Sequence, residues 1–576
     1  MPDPEGYSES ELVKAKAIYD KVYEATSKGK KPIPLSKVQS AFNLDSHTYR
    51  NIIDVFSKAH VFDIRSDRIW DVIPPAGLIE YETIEEGKVV SEEEFDWRNL
   101  KFVVKVLDLP GENVLTYYVP PIKISNGLKI QLKYVFHNLI RVKGDYTAPI
   151  GQDHEQKMEM AKRMAVIAIK KELKLPADVT DRLSDILLYE FSEIGCLSIF
   201  LMDPEVEEVV FNGNNAVSIY HCRHGWMKTN AYPNGEESLI EIANRMARVA
   251  RKEINISNPI VETRLHTGDR VTTLLNTVSP QGTMITIRKF SRNPWTIVGL
   301  MTEYASVSLE IAALLWFAVE YDLNILVAGG SGSGKTTLLN AICSLIPPSI
   351  HTLSIESVRE IFIPENRAWN WLSLTSRDDP NTDPIDTIDL INTSLKMRPE
   401  RIILGEAVRP EEIRALFQAM QIGHPVYSTI HATSSNELMK RLMDPSYNIP
   451  KTDINSLDLV VVMYHNLKDM SRTLIEVSEI TYDGSMSDSN IMSNLYLYSP
   501  KNRAYIQVSK PDKIFEKVNK KTGMTEAEMK ADIEEKKKVL KHAIEKDIKG
   551  INEFGMFVQE YYSERENLLE RVKDRR

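Results

Sequence analysis

Long apolar runs are missing from this 576-residue chain: no stretch offers the 18 consecutive apolar residues that a bilayer-crossing helix needs. Cysteine is scarce. The three present, Cys196, Cys222 and Cys343, form no C-x-x-C pair, so neither a disulfide framework nor a cysteine-rich zinc module is expected, and a reducing compartment is implied. Positive charge is not in excess, and a formal net charge of −10 speaks against a protein whose main business is coating nucleic acid. The opening residues MPDPEGYSESE are acidic, which argues against a secretory signal. Internal repeats and low-complexity segments are absent as well. What remains is ordinary for a folded protein: 43% hydrophobic and 26% charged residues, in a chain long enough for three or four domains.

The most informative segment is GGSGSGKTT, residues 329–337, after the apolar run Asn324–Ala328. It fits G-x-x-x-x-G-K-[ST]. Phosphates need many short donors, and backbone N–H groups supply them only where side chains do not intrude. Gly329, Gly330, Ser331, Gly332, Ser333, Gly334, Lys335, Thr336 and Thr337 are therefore the candidate nucleotide cradle. Lys335 would reach the β- and γ-phosphates and Thr336 would ligand Mg²⁺. Leu338, Leu339, Ala341 and Ile342 read as a helix whose amino end faces the anion.

Around this segment the chain falls into blocks. Leu35, Val38, Phe42 and Leu44 suit a short helix, and Tyr49, Ile52, Ile53 and Phe56 a second. The runs 61–64 and 69–72 then read as a hairpin, giving a winged-helix-like module in which docking or packing is favoured over DNA binding for want of a basic recognition helix. Residues 74–94, rich in Pro, Gly and acids, read as a linker. An α+β block follows, with helices over 155–173 and 236–252 and strands near 209–211, 217–220, 271–275 and 284–287. From about Trp295 to Asn466, β and α runs alternate as in a parallel α/β sheet. Strands at 474–480 and 495–497 precede a charged helical tail, in which Thr525-Glu-Ala-Glu528 is a capping box and the charges read as a solvated face. The expected domains are 1–95, 96–294, 295–500 and 501–576.

Two carboxylates and two histidines stand near the glycine-rich loop in this order. Arg401-Ile-Ile-Leu-Gly-Glu406 is an apolar strand ending in an acid, the Walker B arrangement that brings a carboxylate near Mg²⁺ and the attacking water. His351–Ile355 reads as a strand with Glu356 at its end, placed to hold or deprotonate that water. In Gly423-His-Pro-Val-Tyr-Ser-Thr-Ile-His-Ala432, His424 and His431 flank a further strand and suit γ-phosphate sensing or a bridge to Glu406. No third ligand stands close enough to make them a zinc site.

Walker A at 329–336, an acidic box at 354–360, Walker B at 402–406 and GHPVYSTIHA at 423–432 together resemble the secretion-ATPase superfamily of type II secretion, type IV pili and the archaellum. Upstream, LMDPEVEEVVFNG, HCRHGWMKTN, NPIVETRLHTGDRV and TIRKFSRNPWT are similar to the amino-terminal domain of its archaeal branch. The resemblance spans roughly residues 105–565 and implies a RecA-like P-loop NTPase domain, an upstream α+β domain and the amino-terminal winged-helix-like module, in an α/β class fold. It further implies an ATP- and Mg²⁺-dependent homo-hexameric motor. Such a motor would sit at the inner face of the cell membrane and act on a polytopic platform protein, with no span of its own. Nucleic acid is not an expected partner. Arg270 and Arg288 match arginines that approach the γ-phosphate in that family, and Arg359 matches the archaeal acidic box. Three departures stand out. Ser357 follows Glu356 where the family has Asp, Gly405-Glu-Ala-Val-Arg-Pro410 carries one extra residue, and the bacterial four-cysteine motif is absent. Two other readings compete: a nucleic-acid-translocating ATPase, and a regulatory nucleotide-binding scaffold without turnover.

Overall fold

The computed structural model describes residues 33–34, 62–65, 68–72, 79–124, 128, 132, 135, 154–173, 176–191, 197–249, 252–265, 267–290, 294–377, 383–481 and 491–573. The chain folds as two compact units, Met1–Phe290 and Ser291–Arg576.

In the first unit one sheet holds nine strands, in the spatial order Ile260–Arg264, Arg270–Leu274, Met284–Arg288, Val206–Asn212, Ser218–His221, Gly225–Thr229, Thr116–Tyr118, Leu100–Asp108 and Lys88–Trp97. Neighbours run antiparallel except Gly225–Thr229 beside Thr116–Tyr118. The helix Gly235–Val249 turns Leu239, Ile242, Ala243 and Met246 into the core, the stripe expected from their spacing. Within the segment read as a linker, residues 79–94 contribute strands. Ile79–Tyr81 pairs with Ala231–Pro233, and Lys88–Trp97 pairs along its length with Leu100–Asp108. That strand ends the sheet, so it has one neighbour and keeps Glu92, Glu93 and Glu94 on exposed positions. An edge strand of this kind shows no apolar alternation to read. Near the amino end, Phe62–Arg65 and Arg68–Val72 form the expected hairpin, joined by Ile33–Pro34. The two helices expected there lie outside the described residues.

In the second unit we number the elements that build the site: α1 (Leu309–Glu320), β1 (Ile325–Gly329), α2 (Lys335–Cys343), β2 (Thr352–Glu356), β3 (Trp371–Thr375), β4 (Arg401–Ala407), α3 (Pro410–Ile422), β5 (Val426–His431), β6 (Leu459–His465), β7 (Arg472–Ile480), β8 (Met492–Ser499), β9 (Ala504–Gln507) and α4 (Glu526–Glu545). They form a nine-stranded sheet in the order β3-β2-β4-β5-β1-β6-β7-β8-β9. The six strands from β3 to β6 are mutually parallel, and β7 to β9 extend the sheet antiparallel. Every residue of β1 is buried. Ile325 and Val327 join the core made with α1, α2 and α4, whereas Leu326 and Ala328 join the core under α3. Both faces are covered, which is why these strands read as unbroken apolar runs. The α/β architecture is the one the sequence implied.

The tail helix α4 departs from the expected solvated face. Its capping box forms, with Thr525 N–H donating to Glu528 Oε2 at 2.7 Å and Glu528 N–H to Thr525 Oγ1 at 3.3 Å. But Lys536 is completely buried, with Nζ 2.6 Å from Asp532 Oδ2 and 2.7 Å from Glu320 Oε2 of α1. The two charges of α4 occupy core positions at helical spacing with Met529, Val539, Leu540 and Ala543. Their mutual pairing makes the burial tolerable, and an unpaired charge there would not be.

Candidate active site

Parallel strands align their carboxyl ends on one edge, and loops there converge. At that edge β1 ends in Gly329 and the chain turns through residues 330–334 into α2. A Cβ on Gly329 would lie 2.6 Å from the Met463 carbonyl of β6, so no side chain fits where the loop leaves the strand. Gly334, the N-cap of α2, has φ 90°, the left-handed region that glycine occupies without strain. Ser333 Oγ donates to the Gly330 carbonyl at 2.8 Å and closes the loop. The Lys335 side chain is buried beneath it, donating to the same carbonyl at 2.9 Å. Ser331 and Gly332 are exposed, and Thr336 and Thr337 are half-buried at the start of the helix.

Glu356 ends β2 and is 3% exposed. Its Oε1 accepts from the Glu360 and Ile361 N–H groups at 2.6 and 2.8 Å. Burial pushes this carboxyl up to about 7; the two N–H donors pull it back, Glu360 adds to the rise and Arg359 offsets it. Gly405 lies against it: a Cβ there would sit 3.2 Å from Glu356 Cγ. Glu406 follows on β4, exposed where its neighbours are buried. The register of β4 against β5 shifts between Leu404 and Ala407. Glu406 Oε1 lies 2.8 Å from His431 Nε2, and His431 Nδ1 is 3.5 Å from Lys335 Nζ. The ammonium can only donate, so Nδ1 is the acceptor and Nε2–H faces the carboxylate. His431 thus links the lysine of the loop to the acid of β4.

His424 is not brought to this edge. It precedes β5, whereas His431 ends it, so the strand separates them by about 20 Å at about 3.3 Å per residue. The motif's spacing was legible, but strand direction decides which of its histidines reaches the loop. Arg270 and Arg288 belong to the first unit, where they are exposed Cα partners on adjacent strands. Arg270 donates to Glu262 Oε2 at 2.7 Å, and Arg288 stands opposite Glu208.

Sequence reasoning missed two supports of the site. Asn340 of α2 bonds the loop after Glu356, donating to the Glu360 carbonyl at 2.8 Å and accepting from Phe362 N–H at 2.9 Å. Thr429 Oγ1 donates to the Gly405 carbonyl at 2.8 Å beside Glu406. Thr429 sits inside the motif read for its histidines, so that motif was a usable signal. Elsewhere, Glu205, His221 and Cys222 bring three possible ligand atoms within 4.8 Å of one another. There, however, His221 Nδ1 accepts from the Arg223 N–H at 3.2 Å, which puts the imidazole proton on Nε2, facing Glu205. Arg223 pairs with the same carboxylate. Glu205 is thus engaged by the His221 Nε2–H and by the Arg223 guanidinium.

A family profile described as "Type II/IV secretion system protein" matches residues 201–552. The chain is 32% identical over 312 residues to the uncharacterized protein MJ0900 of Methanocaldococcus jannaschii, a match covering 54% of this chain and 56% of that one. It spans, in other words, about half the length of that relative. It is 30% identical over 244 residues to the type IV secretion system protein PtlH of Bordetella pertussis, covering 39% of this chain and 72% of PtlH. Among solved structures it is similar to the VirB11 ATPase of the Brucella suis type IV secretion system in complex with sulphate. That similarity has 24% identity and a TM-score of 0.25, over 50% of this chain and 92% of that one.

Proposed function

The chain belongs to the type II/IV secretion system protein family, and from that premise we propose that it is an ATP-hydrolysing motor that powers assembly or secretion of pilin-like subunits. The observation that carries this reading is the linked set at one sheet edge: Lys335 under the loop, His431 beside it, Glu406 on His431 and Glu356 buried next to Gly405.

In this reading the N–H groups of residues 329–337 and Lys335 bind the phosphates of ATP. Glu356 orients the attacking water and takes its proton. A carboxyl raised to about 7 is a stronger base than an ordinary glutamate and still ionises near neutral pH. His431 holds Glu406 in place and couples it to the lysine that touches phosphate. Thr336 and Glu406 offer hard oxygen donors, which suit Mg²⁺, and are proposed to hold it; bound there with the nucleotide, it neutralises phosphate charge. For Arg270 and Arg288 the proposed role is stabilisation of charge on the transferring phosphoryl group, carried by the resemblance alone. His424 is assigned no part. The working assembly is proposed to be a homo-hexamer at the cytoplasmic face of the membrane, acting through a polytopic platform protein. Among the described residues no helix is long and apolar enough to cross a membrane, so force on membrane components would pass through such a partner. The domain limits 1–95, 96–294, 295–500 and 501–576 remain proposals; the limit near 294 lies close to the division between Phe290 and Ser291, whereas a cut after residue 95 would sever the strand Lys88–Trp97.

The test is steady-state phosphate release from ATP with Mg²⁺ over a range of protein concentrations. Specific activity should rise with concentration as the ring assembles, and Lys335→Ala should fall to background. Activity that survives Lys335→Ala, or a rate per chain independent of concentration, would count against the motor.

A further inference from the structure

The acids and the histidine proposed for hydrolysis all lie on β2, β4 and β5, on one side of the P-loop strand β1. On its other side β6 continues through residues 466–471 into β7, and this hairpin forms a second wall. His465 and Arg472 are Cα partners across the two strands, and directly opposed residues share a face. That face is toward the loop: a Cβ on Gly332 would lie 3.7 Å from His465 Nδ1, and one on Gly334 3.7 Å from Arg472 Cδ. Arg472 Nε donates to the Gly332 carbonyl at 2.9 Å. The backbone behind the arginine is held in turn. Its carbonyl accepts from Ser306 Oγ at 2.5 Å, Leu474 N–H donates to the Ser306 carbonyl at 3.0 Å, and Tyr505 Oη donates to that carbonyl at 2.6 Å.

A loop that presents its N–H groups to an anion must turn carbonyls the other way and keep them there. Gly332 is exposed, and the bond from Arg472 holds its carbonyl. In the ATP reading Glu356, Glu406 and His431 face the terminal phosphate, and the hairpin lies on the opposite side of the loop. We propose that Arg472 is a positioning residue of this site: through the Gly332 carbonyl it fixes the P-loop in its phosphate-binding shape and so sets affinity for nucleoside di- and triphosphates, not the rate of turnover. The inference rests on the P-loop being an ATP site.

Arg472→Gln and Arg472→Met separate the donor from everything else. Glutamine places an N–H donor at the position of Nε without charge, whereas methionine keeps the length of the stem and has no donor. ADP binding by calorimetry and ATP turnover would be measured on the full chain, with Lys468→Ala as the control for loss of charge in the same hairpin. Arg472→Met should weaken ADP binding by about tenfold, the worth of one charge-assisted hydrogen bond. Arg472→Gln should stay within about threefold of wild type, with kcat changed by less than about twofold in both. Equal ADP binding by wild type and Arg472→Met would overturn the proposal. So would glutamine binding as poorly as methionine, a kcat that falls at unchanged affinity, or a methionine variant that unfolds while glutamine does not. Wild type that binds no ADP would overturn the ATP-site reading beneath it, a result distinguishable from all of these.

Discussion

Glu356 pulls pH dependence in two directions. As a base it works ionised, so turnover should rise with pH through about 7. For stability the sign reverses. Its folded value is raised from 4.5, so its stabilising contribution is fully present below about 4.5 and is lost as pH rises through about 7. Glu356→Gln keeps an acceptor for the Glu360 and Ile361 N–H groups and never ionises. The variant should therefore be inactive yet more stable than wild type at about pH 8, by about 3 kcal/mol, with the gain gone near about pH 4. Urea melts at the two pH values check this, and an equal difference at both would contradict it. Glu356, Glu406 and His431 were legible in the sequence because each ends an apolar strand in a polar residue, and such ends share one edge. Arg472 and Asn340 were not. They are single polar residues whose nearness to the loop depends on sheet order and helix packing, which local spacing does not encode.

Elements that follow their own pattern were read correctly, and those governed by a neighbour were not. Strand β1 and the helix Gly235–Val249 carry their burial in their spacing. The strand Lys88–Trp97 has charge on both sides because it ends a sheet, and only its partner Leu100–Asp108 reveals it. In α4 a lysine and an aspartate imitate a solvated face, although α1 supplies the third member of a buried ionic cluster. Lys536→Ala should accordingly destabilise the protein by about 3 kcal/mol, since Glu320 would lose this cation and Asp532 would keep Arg565, 3.0 Å from its Oδ1. A solvated lysine would cost under about 0.5 kcal/mol. Denaturant titration distinguishes the two, and a small loss would mean the cluster relaxes into water.

The whole molecule consists of two units, each with its own nine-stranded sheet. The second carries the loop, both acids and His431; the first carries Arg270 and Arg288. If these arginines stabilise charge during transfer, Arg270→Gln and Arg288→Gln should lower kcat by about 10²-fold or more while ADP binding stays within about threefold. Loss of ADP binding in step with kcat would make them part of ground-state binding instead. The order of motifs along the chain made the α/β class legible, since alternating β and α runs around a glycine-rich loop permit few topologies. The strands read at 474–480 and 495–497 are β7 and β8 of the antiparallel extension, whereas β9 was not read, and the burial of the tail on α1 comes from contacts distant in sequence that leave no local pattern.

The central claim, that the linked edge hydrolyses ATP, is tested most directly by single-turnover phosphate release from prebound ATP with Mg²⁺, comparing wild type with Glu356→Gln. Wild type should release phosphate, and the variant should hold ATP with release slowed by about 10²-fold or more. Equal release from both, or wild type that holds ATP and releases nothing, would contradict it.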